Sequence, residues 1–283
     1  MSDKKIFQSL SNALHTLMAH PIILAAFVVI AFLQFFILEF LYFIPRYPLN
    51  IFFEPIITKL WGVQYLHYPL NIVLLPKLFH YTQAPFYLFV SSFLTGVAIK
   101  TIVKINNDEK VSFGKTFKET LGSYVHIFVG ALFTFLCILA FSQFYEVCIN
   151  RAIIIRSMSG KFFLLKRFII DGAPYVNLVA SVIITTLFAY VIPIIVIDKK
   201  KVVAAIIGNF KVLMKAPLYT FMVILIPSLL YVPILLLRSS TQINMAMPEM
   251  SVIMLVLSII IMVAIDAIAY TALTTYYLIQ KEQ

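Results

Sequence analysis

Apolar residues gather into six runs along the chain, near 21–43, 85–103, 123–148, 175–197, 216–237 and 251–279. A hydrocarbon core of about 30 Å takes roughly 20 helical residues, so each run is long enough to cross one. Ahead of the odd-numbered runs the pattern changes. Ile6, Phe7, Leu10, Ala13, Leu14, Leu17 and Met18 recur at three- and four-residue intervals, as do Val203, Ile206, Ile207, Phe210, Leu213 and Met214. Phe113, Phe117 and Leu121 repeat this more sparsely. One apolar stripe beside polar or basic neighbours predicts an amphipathic helix lying in the membrane interface. Pro21 and Pro217 then fall at the first turn of the following run, where a missing N–H costs nothing.

The wording itself repeats. "LHTLMAHPII" at 14–23 is echoed by "FKVLMKAPLY" at 210–219 and, without the proline, by "FKETLGSYVH" at 117–126. Copies spaced about a hundred residues apart leave room for one amphipathic lead and one helical hairpin each. The expected fold is all-α and integral to the membrane: six transmembrane helices as three pseudo-repeats in one polytopic domain over 1–283. A basic, amphipathic lead before any helix entering a bilayer gives the same look, so the repeat is the finer expectation.

Composition points the same way. Of 283 residues, 62% are hydrophobic and 12% charged, with a mean hydropathy of +0.98. A water-facing domain carries about 25% charged residues, so most of this surface is expected to face lipid. The first run follows Lys4 and Lys5 but is too long for a signal-peptide core and lacks a small-x-small site after it, which predicts a retained helix. Cys137 and Cys148 share one run and have no metal-like spacing. The absence of an N-x-S/T sequon favours a bacterial source. With six crossings, thirteen of the 22 Lys and Arg fall on the side of both termini and nine on the other. The positive-inside rule therefore predicts cytoplasmic N- and C-termini in a bacterial inner membrane.

The run "YVIPIIVIDKKKVVAAIIGNFKVLMKAPLY" (190–219) ends a span in Pro193 and Asp198 and continues through Ala204, Ala205, Phe210 and Pro217. It resembles a loose group of bacterial six-span inner-membrane proteins. That group includes the membrane domain of some glycerophosphodiester phosphodiesterases and related standalone membrane proteins. The resemblance implies a fold and a location. It implies no chemistry, because the soluble phosphodiesterase domain is absent from this chain.

Several side chains break the apolar pattern. Asp266 falls near the middle of the sixth run, where an ionisable group is costly and usually faces a partner or a watery cavity. Two readings stand: a proton, cation or headgroup site, or a carboxyl that is protonated or hydrogen-bonded to neighbours such as Tyr270 or Thr271. Glu39 and Glu146 lie near the outer ends of the first and third runs, with Gln34 and Gln143 further in. At similar depth they would build a polar vestibule; the alternative is pairing with Arg46 or Arg151 at the interface. Residues 151–167 set Arg151, Arg156, Lys161, Lys166 and Arg167 among Ile and Phe, a pattern that attracts anionic headgroups. The same pattern serves a docking surface or a solvated hairpin equally well. The 44–84 loop carries six prolines with its end at Pro85, interleaved with Trp61 and several Tyr and Phe. Its prolines argue against a long helix, and its apolar surface predicts a packed outer cap that closes a cavity or binds another protein, with Trp61 a candidate lipid or partner contact. Within it His67, His80 and Glu54 have no metal-site spacing.

No G-x-S-x-G, H-E-x-x-H or Walker loop occurs. The net charge of +10 is spread through the juxtamembrane segments, which speaks for phospholipid and against nucleic acid. The expected function is non-enzymatic and cofactor-free: binding or organising membrane lipids, or scaffolding a complex with a protein partner or further copies of itself. The alternatives are a permease-type subunit of an ABC transporter, identified by a copurifying nucleotide-binding subunit, and an ion-coupled carrier using Asp266.

Overall fold

In a computed structural model, which describes residues 3–154, 172–239 and 247–282, the described residues contain helices and turns and no strand. Six helical segments are long and apolar enough to cross a membrane: Ile22–Phe43, Leu70–Asn106, Tyr124–Arg151, Ala173–Asp198, Pro217–Leu237 and Glu249–Glu282. The chain has the make-up of a multi-pass membrane protein.

Helices α1 (Asp3–Ala19), α6 (Phe113–Leu121) and α10 (Val202–Lys215) precede the first, third and fifth spans. The first span is α2 (Ile22–Phe43) and the third lies in α7 (Tyr124–Ile154). The sixth is α13 (Glu249–Glu282), a single helix of 34 residues. The stripes that the sequence marks are packed only in part: Ile6, Leu10, Ala13 and Leu17 of α1 are buried while Phe7, Leu14 and Met18 are exposed, and on α10 Leu213 is buried while Val203, Ile207, Phe210 and Met214 are exposed.

Three spans are interrupted. The second runs as α4 (Leu70–Phe86), a π-helical turn at Tyr87–Ser91, and α5 (Ser92–Asn106). The fourth is α8 (Ala173–Leu187) and α9 (Val191–Asp198), with turns between them. The fifth is α11 (Pro217–Ser228), a 3-10 turn at Leu229–Tyr231, and α12 (Val232–Ser239). Sequence alone presents each of the last two as one continuous run. In the fifth, Pro227 removes a backbone donor just before the 3-10 turn. The break in the fourth is supplied with partners by the following lead: Asn209, wholly buried, donates from Nδ2 to the Leu187 carbonyl (2.6 Å) and accepts the Tyr190 N–H at Oδ1 (2.9 Å).

The outer loop is also shorter and more helical than expected. Its first part forms α3 (Asn50–Leu60), and the second span starts at Leu70 instead of 85. Pro76 and Pro85 lie inside α4. Each removes one intrahelical bond, but Ile72, Leu74, Leu75 and Phe79 are buried and hold the helix in place. The π-helical turn begins two residues after Pro85. Between α3 and α4 the cap turns at Gly62, whose φ of 104° is a conformation that a side chain resists.

The second and fourth spans form the inside of the bundle. In their most apolar stretches 72% and 61% of residues are buried in the second and fourth spans, against 28%, 22% and 33% in the first, third and fifth. Close packing is enforced where Gly96 of α5 meets Ile127, Thr120 and Val196, and where Gly130 of α7 meets Val191 and Ile195. The sixth span, at 39%, is the exception among the even ones. It lines two hollows.

Candidate functional site: a polar cavity around Asp266

Asp266 lies midway along α13, about 25 Å from either end at 1.5 Å per residue. It opens onto a cavity of about 300 Å³. The walls are Ile30 and Gln34 of α2, Pro76, Phe79, His80, Gln83 and Phe86 of α4, Tyr87 and Ser91 of the π turn, and Tyr231 of the fifth span. The α13 wall is Leu255, Ser258, Ile259, Met262, Val263 and Asp266. A second hollow of about 130 Å³ lies on another face of α13, between the fourth and fifth spans. Asp266, Met262 and Tyr231 belong to both.

Local structure explains how polar groups come to face this space. A π-helical turn adds a residue to one turn of helix and rotates the residues after it, a device common at functional sites. Here it places Tyr87 and Ser91 on the cavity side while Phe89, between them, is exposed. Gln34 donates from Nε2 to Gln83 Oε1 at 3.1 Å. The Gln83 Nε2 group is fully covered and has no hydrogen-bond partner. Ser258 is satisfied by the Met254 carbonyl at 2.6 Å. The Asp266 carboxylate receives no hydrogen bond or ion pair from the described residues. The anticipated bonds to Tyr270 and Thr271 are not made, and the buried Thr271 hydroxyl is itself unpartnered.

The cap packs against one end of the cavity. Phe79, Leu255 and Ile259 line the cavity and also belong to the apolar cluster that includes Leu38, Leu41, Ile44 and Ile57 and packs against Trp61. Lys77 sits with its ammonium 5.7 Å from the centre of the Trp61 ring. Tyr68 donates to Glu249 at 2.8 Å and ties the cap to the start of α13. That bond to a carboxylate holds the Tyr68 phenol above its ordinary pKa. Trp61 is thus a packing residue of the lid, half-buried beside the site.

The other expected residues are placed differently. Gln34 joins the cavity, but Glu39 and Glu146 are exposed on α2 and α7, helices with no substantial shared interface. They form no common vestibule, because similar depth along two outer spans does not make them neighbours. Neither carboxylate has an ion-pair partner among the described residues, and Arg46 stacks over Tyr42 and Phe43 at 5.6 and 5.0 Å. Arg151 is exposed at the end of α7, while Arg156, Lys161, Lys166 and Arg167 lie outside the described residues. Among the described residues no three His, Cys, Asp or Glu are close enough to share a metal ion.

Sequence reasoning missed Gln83, Tyr87, Ser91, Tyr231 and Ser258. The available signal was a polar side chain inside an apolar run, the same signal that singled out Gln34 and Asp266. Compared with protein-family models, curated proteins and solved structures, the chain matches none of them.

Proposed function

We propose that this protein is a non-enzymatic, multi-pass membrane protein that holds a membrane amphiphile, headgroup inward, in the Asp266 cavity. The observation that carries this reading is a hollow of about 300 Å³ at mid-span, bordered by the Asp266 carboxylate, which no described residue bonds, and by the unpartnered Nε2 of Gln83. An unsatisfied polar group in hydrocarbon costs several kcal/mol. A headgroup supplies the missing partners, and the apolar wall of Phe79, Phe86, Leu255 and Ile259 accepts a chain. His80 and Met262 are exposed at the rim, so the mouth faces the surroundings of the bundle, where lipid lies.

The placement in a bacterial inner membrane with cytoplasmic termini belongs to the same proposal and rests on the Lys and Arg distribution and the six-span resemblance. The three-unit architecture is likewise proposed. It is supported by the recurrence of a lead, a poorly buried odd span and an even partner in the order α1–α2–α4/α5, α6–α7–α8/α9 and α10–α11/α12–α13. Further lipids or a protein partner on the basic segment 151–167 stay part of this reading.

Native mass spectrometry of the protein taken from its membrane tests it. One amphiphile per chain is expected to survive delipidating washes. Ser258→Phe, which fills the cavity, is expected to lose it, and Phe32→Ala on the exposed face of α2 to retain it. Equal retention by all three, with helicity and monodispersity unchanged, contradicts the proposal.

A second reading has its own support. Interrupted helices beside an ionisable group are a frequent design of transporter sites, and Asp266 stands between two hollows. In an ion-coupled carrier, proton flux into proteoliposomes is abolished by Asp266→Asn. Flux that is unchanged by the substitution removes this reading.

A further inference from the structure

We infer that the headgroup held at Asp266 is positively charged: an amine-bearing amphiphile instead of an anionic lipid. The inference rests on the proposed amphiphile cavity and adds the chemistry that selects its occupant. Among the described residues no Lys or Arg lines either hollow, and Asp266 is the one carboxylate bordering both. A charge at this depth is stable only when paired and hydrogen-bonded. Since the described walls bring no Lys or Arg to the carboxylate and His80 lies out at the exposed rim, the occupant brings the cation.

An anionic headgroup meets the opposite condition. Its phosphate would face a like charge, offset among the described residues by the donors Gln83 Nε2, Tyr87 and Ser91 and by His80 at the rim. An ammonium finds the Asp266 carboxylate as its counter-charge and the Tyr87, Ser91 and Ser258 oxygens as acceptors. The exposed rim at His80 and Met262 leaves the tail a way out beside the fifth span.

The full chain in a neutral maltoside detergent is exposed to dodecylamine, dodecanol or dodecanoate at equal concentration, and bound ligand is read by native mass spectrometry. The wild type is expected to favour the amine over both others by about tenfold or more, a difference of about 1.4 kcal/mol. Asp266→Asn is expected to bring the amine down to the level of the alcohol, Asp266→Glu to keep the preference, and Glu39→Gln to leave it unchanged. If amine and alcohol occupy the wild type equally and only Ser258→Phe removes them, the amphiphile cavity stands and its charge selectivity is overturned. If none of the three binds and Ser258→Phe changes nothing, the cavity reading itself is overturned and the selectivity with it.

Discussion

Asp198 and Asp266 are aspartates on two even-numbered spans, and their surroundings are opposite. Asp198 ends the fourth span and takes Lys281 at 2.8 Å on Oδ1, Lys200 at 3.0 Å on Oδ2 and Tyr277 at 2.8 Å on Oδ2. Lys199 beside it turns into the left-handed region at φ 52° and stops the helix. Nearby Asn209 answers the backbone groups freed by the break in the same span. Asp266 has an equally demanding carboxylate and no answering group among the described residues. A polar residue with all partners in the protein is a fastener. One facing space with none is a place for something else to bind.

Stability measurements can break this contrast. Asn209→Ala strands the buried Tyr190 N–H and Leu187 carbonyl and is expected to cost about 3 kcal/mol, because leaving buried groups unpaired loses their full desolvation energy. Denaturant titration in detergent, followed by helicity, reads it; a loss below about 1 kcal/mol contradicts the fastening role. Asp198→Asn keeps the shape but removes the charge that two lysines share, with an expected loss of about 2 kcal/mol. Asp266→Asn removes no protein contact. It is expected to leave the ligand-free protein within about 0.5 kcal/mol of wild type or to stabilise it, since a buried charge is replaced by a neutral group. Were it to match the Asp198 loss, Asp266 would have a protein partner and the contrast would fail.

The smallest effect is local and sharpens the fastening side. Lys104 of α5 is buried and meets Glu119 of α6 at 2.7 Å. The hydrogen bond from Lys104 holds the Glu119 carboxyl below its ordinary pKa, helped by the charges of Lys104, Lys100 and Lys115. A lowered folded-state pKa contributes stability that is present above the unfolded value, about 4.3, and lost as pH falls through the folded one. Amide protection across 113–121 is therefore expected to hold from about pH 7 to 5 and to weaken only below about 4. Glu119→Gln removes that pH step, and a step surviving in the variant contradicts the assignment.

The six spans were legible because length and apolarity alone decide them. Asp266 and Gln34 were legible because a polar side chain within such a run is conspicuous. The cavity itself was not, since it depends on which faces of α2, α4 and α13 meet, and that is settled by packing between residues some 230 positions apart, such as Gln34 and Asp266. Pro76 and Pro85 misled, because their cost falls on one backbone bond each while the neighbouring apolar side chains keep the helix. Asn209 went unnoticed within the stripe of Ile206, Phe210 and Leu213, although a polar residue on a packed face is a sign that something needs its hydrogen bonds.

The most direct test is an electron cryomicroscopy map of the protein in a lipid nanodisc, at a resolution that shows side chains around Asp266. The account predicts non-protein density in the cavity, within hydrogen-bonding distance of the carboxylate and extending past Met262 toward the bilayer. A closed space in which Asp266 bonds to Tyr270, Thr271 or another side chain of the protein contradicts it.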